Sequence, residues 1–313
     1  MGLTKMPNDT NVVGIKGDIL EDGLKRVQRE IDSVFDAFLP APNDTSARLV
    51  EAMRYAAIGG GKRVRPLLVV STADLFGVDR TAALRAGAAL EAIHVYSLIH
   101  DDLPCMDDDD LRHGKPTVHK AYDEATAVLA GDALHALAFE ILADQGTSSD
   151  PFVRSELIAT LATASGMNGM AGGQIMDMVA DEEGVDYDLH TITRLQQLKT
   201  GALLAASVEM GAILGKIPPE GRTHLRAYSR DIGLAFQIAD DLLDVEGDAE
   251  LAGKALRKDT EQGKQTFVTL MGVDKAREQA RALVDQAIAH LASHGSEADM
   301  LRALARFIVE RDR

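Results

Sequence analysis

An acidic stripe on an otherwise apolar helix is the feature that most constrains how this chain can fold. The stretch from 222 to 245 has helical periodicity, and at about 100° per residue its acidic and amide side chains share one arc of about 100°. These side chains are Gln237, Asp240, Asp241 and Asp244. Apolar residues occupy the rest of the circumference, so the stripe is expected to face a cavity inside the protein. Because a buried carboxylate without a partner is very costly, the pattern predicts cations in that cavity.

A second acidic cluster lies far earlier in the chain. Six aspartates occur within ten residues, namely Asp101, Asp102 and Asp107 to Asp110. Ionised carboxylates this close repel one another, and hard divalent cations relieve the repulsion by taking oxygen ligands. Alone, the cluster also fits a solvated acidic loop. If the cluster faces the later stripe, it forms half of a metal site. In that case we expect Asp101, Asp102 and Asp107 to bind metal and Asp108 to Asp110 to be solvated or structural. His94 points to the same helix side as Asp101, about 10 Å away, and is either a ligand or a core histidine.

A glycine-rich, basic stretch runs from Gly59 to Pro66. Its three glycines allow the backbone to approach a ligand, and Lys62, Arg63 and Arg65 concentrate positive charge in an acidic protein. A helix that begins near the proline would add the positive end of its dipole. Phosphate binding is the functional interpretation, and a flexible turn with solvated cations is the alternative, since the pattern matches no nucleotide-binding fingerprint.

Composition and periodicity predict a single all-α domain. The chain has 313 residues, of which 46% are hydrophobic and only 4% aromatic, and this balance favours helices over sheet. Helical periodicity starts at about Gly23, no segment has a strand-turn-strand pattern, and no repeat or linker divides the chain. We therefore expect a loose lead-in over residues 1–20 and one domain over residues 21–313.

Charge and cysteine content restrict the partners and the compartment. The net charge of -16 and the pI near 4.9 argue against a nucleic-acid-binding surface. Cys105 is the only cysteine, which excludes an intrachain disulfide and is typical of a reducing compartment. We expect no membrane-spanning apolar run, and residues 1–18 lack the hydrophobic core of a signal peptide. These features predict a cytoplasmic protein.

Two acidic stripes and scattered Lys and Arg side chains indicate a metal-bridged, highly anionic substrate. A diphosphate fits best, because Mg²⁺ bridges carboxylates to phosphate oxygens while Lys and Arg neutralise the remaining charge. The sequence contains no evident constellation for a Ser or Cys nucleophile and no evident general base. Departure of a diphosphate beside an aliphatic cavity would leave a carbocation shielded from water.

The acidic motifs resemble those of a known family. Asp101-Asp102-(four residues)-Asp107 and Asp240-Asp241-Leu-Leu-Asp244 resemble the first and second Asp-rich motifs of the trans-isoprenyl diphosphate synthases. Further stretches resemble the family's other motifs in the expected order, namely Gly60 to Pro66, Gly172-Gly173-Gln174, Lys199-Thr200, Phe236-Gln237 and Gly263-Lys264. The resemblance spans residues 20–310. It implies an all-α helical bundle around a central cavity, Mg²⁺, a homodimer, and head-to-tail condensation of isopentenyl diphosphate with an allylic diphosphate.

The resemblance also implies roles for the matched residues. Three Mg²⁺ ions and the allylic diphosphate would be held by Asp101, Asp102, Asp107, Asp240, Asp241 and Asp244. The same diphosphate would contact Arg112, Lys199 and Lys264. Isopentenyl diphosphate would be held by Lys62, Arg65 and His94. Thr200 and Gln237 would offer oxygen dipoles to the developing cation, and Lys254 matches a basic position in a closing loop.

The chain departs from the family pattern after the first motif. The family commonly has two arginines there, the second of which serves isopentenyl diphosphate, whereas this chain has Arg112-His113. Histidine is often neutral near pH 7 and is then a weaker phosphate partner. We therefore predict a raised KM for isopentenyl diphosphate that improves at lower pH.

Product length depends on residues near the first motif. In the family, bulky residues just before this motif shorten the pocket for the growing chain, and Tyr96 stands five residues before Asp101. The inserted Pro104-Cys105 is typical of bacterial and plant members that make either C15 or C20 products. Tyr96 favours farnesyl diphosphate, with geranylgeranyl diphosphate as the alternative. On an ideal helix Tyr96 lies about 140° from Asp101, so its facing the pocket is implied by the family alone.

Three other functions compete with this interpretation. A class I terpene cyclase shares the fold and the first motif, but its second motif is usually of another type. An HD-type phosphohydrolase would use His94 and His100-Asp101 and would leave the second stripe unexplained. A non-catalytic prenyl synthase subunit would be expected to lack one Asp-rich motif, and both are present.

Overall fold

The chain folds into a helical bundle that a computed structural model describes over residues 12–183, 187–246 and 266–310. The all-α prediction is confirmed. The helices of the first half are α1 (Val12–Phe38), α2 (Ala47–Ala57), α3 (Val64–Asp74), α4 (Arg80–Asp101), α5 (Val118–Ala121), α6 (Glu124–Ala143) and α7 (Pro151–Ser165). Those of the second half are α8 (Met170–Glu183), α9 (Leu189–Gln196), α10 (Ala202–Leu214), α11 (Thr223–Glu246), α12 (Phe267–Met271), α13 (Val273–His290) and α14 (Asp299–Glu310).

The first helix starts earlier than the periodicity predicts. It begins at Val12, so residues 12–20, which we expected in a lead-in, are helical, and the expected boundary at residue 20 falls within α1. Leu20 is buried and stands two helical turns before the buried Val27, so it extends the apolar face of the helix. The polar residues and glycines of this segment weaken its apolar periodicity, so the sequence did not predict the first part of the helix.

A short β-hairpin interrupts the helices after the first aspartate cluster, although the sequence predicted no strand pair. Strands β1 (Leu111–Arg112) and β2 (Lys115–Pro116) pair antiparallel, with Arg112 opposite Lys115. His113 and Gly114 form the turn with φ values of 52° and 74°. A type I′ hairpin turn needs positive φ at both central positions, which Gly supplies freely and His tolerates. Strands of two residues are too short to produce an alternating pattern in the sequence.

Alanine-rich helices form the centre of the bundle. Helix α4 packs against α1, α3, α6 and α10, while α10 also packs against α3, α7 and α11. Small residues permit this close packing. At Gly211 in α10, an added Cβ would lie 2.7 Å from the backbone oxygen of Val69 in α3, so any larger residue would force the two helices apart. The aspartate-bearing ends of α4 and α11 are thereby fixed on a rigid core.

Two of these central helices also resemble membrane spans in length and composition. Arg80–Asp101 and Glu124–Ala143 are both long and apolar enough to cross a membrane, and 61% and 50% of their most apolar windows are buried inside the protein. The two helices pack against each other. Core helices meet the same criterion, so this likeness is weak evidence for a span.

Candidate active site

A cavity of about 570 Å³ brings together residues from widely separated parts of the chain. Its wall is formed by the loop before α3, the C-terminal half of α4, the β-hairpin, and single residues of α10, α11 and α14. The predicted site residues on this wall are Lys62, Arg65, His94, Asp102, Arg112 and His113. The basic stretch, the first acidic cluster and the hairpin thus share one space.

A buried arginine anchors the glycine-rich loop. Arg63 has a φ of 54° and is 3% exposed. Its guanidinium donates to Glu91 Oε1 at 2.7 Å, to Asp32 Oδ1 at 3.0 Å and to the carbonyl of Ala57. Of the three cations in the basic stretch, Arg63 therefore has a structural role, because its charge is neutralised by the buried Glu91 and the partly buried Asp32. The sequence signal for this network was Glu91, a carboxylate in an apolar part of α4 that requires a cationic partner.

The neighbouring arginine is held by the histidine predicted to bind substrate. Arg65 Nη1 lies 3.1 Å from His94 Nε2. Burial and the charge of Arg65 hold the pKa of His94 well below its usual range, so the ring is neutral and Nε2 accepts a hydrogen bond from the guanidinium. Burial also lowers the pKa of Arg65, while the charges of Glu91 and Asp240 oppose that effect. Arg65 therefore lies within electrostatic range of the second acidic stripe.

The first acidic cluster contains two carboxyl groups whose pKa values are raised. Burial raises the pKa of Asp101 to about 6, with Asp107 and Asp102 adding to the shift and Lys199 opposing it. Asp102 is almost fully buried and accepts a hydrogen bond from Arg112 Nε at 2.9 Å. Burial still raises the pKa of Asp102 despite this bond. Arg112 is therefore positioned by the cluster that it was predicted to assist.

The later aspartates of the run stabilise local structure. Thr117 is buried and donates its hydroxyl to the carbonyl of Asp109 at 2.9 Å. Lys120 pairs with Asp110 at 2.8 Å on the protein surface. Asp108 has a φ of 50° and an exposed side chain. These contacts agree with the expectation that Asp108 to Asp110 are solvated or structural.

A π-helical turn, Gln197–Gly201, carries Lys199 and Thr200. Lys199 Nζ pairs with Asp177 Oδ2 at 2.5 Å, across the contact between this turn and α8. Gly173 makes the contact possible, since an added Cβ there would lie 2.2 Å from the Lys199 backbone nitrogen. We did not predict Asp177 as a site residue, although it ends the glycine-rich run whose close packing the sequence indicated. π-Helical turns commonly occur at functional sites.

The second stripe lies on α11 as the periodicity predicted. Asp241 is 4% exposed, accepts from the backbone N–H of Phe267 at 2.8 Å, and accepts from Gln237 Nε2 at 3.3 Å. Asp241 therefore satisfies the first backbone N–H of α12 and also bonds a side chain one turn earlier on α11. Asp244 is buried, and its Oδ2 has no hydrogen-bond partner among the described residues.

The donor set fits hard divalent cations that are shared with a substrate. Within the described ranges, no three His, Cys, Asp or Glu side chains are grouped closely enough to hold a metal ion by themselves. The unpartnered Asp244 oxygen and the burial that raises the pKa of Asp101 nevertheless mark carboxylates that a bound cation would stabilise. Oxygen donors from two helices, completed by diphosphate oxygens, suit the coordination of Mg²⁺.

Two predicted basic residues, Lys254 and Lys264, lie outside the described residues. Their assignments stay predictions, as do the catalytic roles of the aspartates and of Thr200 and Gln237.

Comparison with known proteins identifies the family. A polyprenyl synthetase family model matches residues 46–306. The chain is 45% identical over 302 residues to farnesyl diphosphate synthase of Escherichia coli (strain K12), covering 94% of this chain and 98% of that one. It is 45% identical over 268 residues to the chloroplastic geranylgeranyl pyrophosphate synthase of Catharanthus roseus, covering 85% and 74%. An FPP/GFPP synthase structure from Zymomonas mobilis matches with a TM-score of 0.85 at 60% identity, covering 93% and 98%. The family resemblance is thereby confirmed, and this chain belongs to the polyprenyl synthetase family.

Proposed function

We propose that the protein is a Mg²⁺-dependent prenyltransferase that makes farnesyl diphosphate from isopentenyl diphosphate and dimethylallyl or geranyl diphosphate. One observation carries the proposal, namely that a cation-lined cavity has Asp102 of the first acidic cluster on its wall. Arg112 on its wall bonds Asp102, and Arg65 on the same wall lies within electrostatic range of Asp240. This arrangement fits two diphosphate substrates. One would be bound through metal ions and the other through cationic side chains.

Different residues of the chain bind the two substrates. Lys62, Arg65 and His113 provide donors on the cavity wall for isopentenyl diphosphate, and His94 orients Arg65. Arg112 and Lys199 are held by Asp102 and Asp177 and would turn towards the allylic diphosphate. The bond between the allylic carbon and the diphosphate oxygen breaks, the isopentenyl double bond attacks that carbon, and a proton leaves to the released pyrophosphate. The aliphatic surroundings keep water from the cation.

Mg²⁺ would be held by Asp101, Asp102 and Asp107 on one side and by Asp240, Asp241 and Asp244 on the other. When bound, Mg²⁺ neutralises the diphosphate and stabilises its departure. Three ions are the number that the family resemblance implies.

Incubation with Mg²⁺, isopentenyl diphosphate and either dimethylallyl, geranyl or farnesyl diphosphate tests the proposal. We expect C15 product from the first two and little elongation of farnesyl diphosphate. Asp101→Asn should lower kcat on the order of a hundredfold or more. The matched control Asp108→Asn, in the same acidic run but exposed, should retain activity. Cyclised products, or no elongation of any allylic diphosphate, would contradict the proposal.

A C20 product is the second candidate, because the chain is also 45% identical to a geranylgeranyl pyrophosphate synthase, over 268 residues compared with 302 for the farnesyl diphosphate synthase. Efficient elongation of farnesyl diphosphate in the same incubation would favour it.

We further propose that the enzyme is a cytoplasmic homodimer. The lone cysteine suits a reducing compartment. Val128 and Leu129 on α6 and Phe152 on the adjoining α7 are exposed large apolar side chains. Neighbouring helices that present apolar side chains to solvent favour association with a second copy.

A further inference from the structure

The cations on the cavity wall differ in how their charge is neutralised. Arg63 pairs with Glu91 and Asp32, and Arg112 pairs with Asp102. Lys115 also lines the cavity, and its side chain is exposed. This side chain makes no hydrogen bond or ion pair with any residue that the structure describes. Its ammonium group therefore has its full charge available for an anion that enters the cavity.

The hairpin register places Lys115 beside another cation. Arg112 and Lys115 are directly opposite in the β1–β2 pair, so their side chains leave the same face of the hairpin. Like charges directly opposite each other destabilise a strand pair, and a bound anion removes that penalty. Both residues line the cavity, which shows that this face of the hairpin is directed towards it.

The turn residue next to this pair contributes little charge. Burial lowers the pKa of His113, and the charges of Arg112 and Arg63 lower it further, while Asp102 and Glu91 oppose the effect. The ring is thus mainly neutral at pH 7. A second full positive charge on the hairpin is therefore available from Lys115, two residues further along the chain.

We propose that Lys115 binds the diphosphate of isopentenyl diphosphate and supplies the charge that His113 does not. This inference rests on the proposed function, because it assigns a further binding residue to the same cavity. The ammonium contacts only the non-reacting diphosphate, so its loss should weaken binding without changing the chemical step.

Three variants test the proposal in the intact enzyme. Lys115→Gln should raise the KM for isopentenyl diphosphate on the order of tenfold, with kcat and the KM for geranyl diphosphate within about twofold. Lys115→Arg should keep most of the affinity. Lys120→Gln is the matched control, because Lys120 is exposed and pairs with Asp110. An unchanged KM for isopentenyl diphosphate in Lys115→Gln would overturn the proposal, and so would an equal rise in both KM values.

A double variant tests the link to His113. In an enzyme that carries His113→Arg, the effect of Lys115→Gln should shrink to about threefold or less, because a guanidinium then stands on the same turn. An undiminished effect would show that Lys115 does not substitute for the missing charge. Calorimetric titration with inorganic pyrophosphate separates this proposal from the proposed function. If no allylic diphosphate is elongated, weaker pyrophosphate binding by Lys115→Gln than by Lys120→Gln still supports the anion site, and equal binding overturns it.

Discussion

His113 shows how one residue sets the electrostatics of the cavity. It lines the cavity at the hairpin turn, with Arg112 beside it, and Arg63, Glu91 and Asp102, the residue that follows α4, line the same cavity. Because the pKa of His113 is lowered, its proton is gained only below the usual pKa of histidine, about 6.5.

We predict that His113→Arg lowers the KM for isopentenyl diphosphate about three- to tenfold at pH 8. The advantage over the unmutated enzyme should shrink towards pH 6, since protonated His113 then also carries a positive charge. Steady-state kinetics of both enzymes between pH 6 and 8 provide the measurement. The ratio of the two KM values cancels any titration that both enzymes share. A ratio of one at every pH would show that this position does not serve the substrate.

Tyr96 is the residue on which product length depends in our interpretation. It is partly buried on α4 and makes edge-to-face contacts with His135 of α6 at 5.0 Å and with His100 at 5.7 Å between ring centroids. We predict that Tyr96→Ala shifts the product from C15 to C20 or longer, because removing the ring opens space between α4 and α6. Chain-length analysis by liquid chromatography and mass spectrometry measures the shift. Tyr55→Ala, on the wall of the cavity that holds Arg65 and Arg112 and away from the contact between α4 and α6, is a control that should still give C15. Unlengthened product from Tyr96→Ala would place the pocket floor elsewhere.

At the scale of elements, the π-helical turn positions Lys199 and depends on Gly173. An alanine at 173 would place its Cβ 2.2 Å from the Lys199 backbone nitrogen, and backbone atoms cannot move away cheaply. We predict that Gly173→Ala destabilises the protein by about 1–3 kcal/mol, measured by urea unfolding. Gly201→Ala, where the nearest atom would be 3.6 Å away, is the control within the same turn and should change stability by less than about 1 kcal/mol. Equal stability of the two variants would contradict this account of the contact.

Elements with a strong period were predictable from the sequence, and those with special backbone geometry were not. The stripe of Asp240, Asp241 and Asp244 lies on α11 as the helical period required, since a period needs only a regular backbone. The Asp241 cap on α12 joins two helices that are far apart in sequence, so no local pattern encodes it. The pairing of Lys199 with Asp177 likewise depends on a π turn that propensities do not reveal.

At the scale of the whole molecule, composition and helical period predicted the fold class. The family motifs predicted that distant parts of the chain meet at one cavity. Charge pairing did not follow, because the sequence does not say which cation meets which carboxylate. Lys62, Arg63 and Arg65 lie within four consecutive positions and all line the cavity. The charge of Arg63 is neutralised by Glu91 and Asp32, whereas Arg65 lies against His94. Three-dimensional neighbours, and not sequence position, decide which of these charges is available to a substrate.

The exposed apolar side chains of α6 and α7 mark the surface at which we expect two copies to associate. Leu129 is 56% exposed on α6 beside Val128, and the adjoining α7 exposes Phe152. A glutamate on this exposed apolar part of α6 would have to lose its hydration without a partner when two copies meet. We predict that Leu129→Glu is monomeric at micromolar concentration, whereas the unmutated protein has twice the chain mass of 33.6 kDa. Light scattering coupled to size-exclusion chromatography measures the mass.

Leu270→Glu is the matched control, because Leu270 is 42% exposed on α12, which packs against α9, α11 and α13 on another side of the bundle. If Leu270→Glu dissociates the dimer and Leu129→Glu does not, the interface lies away from α6.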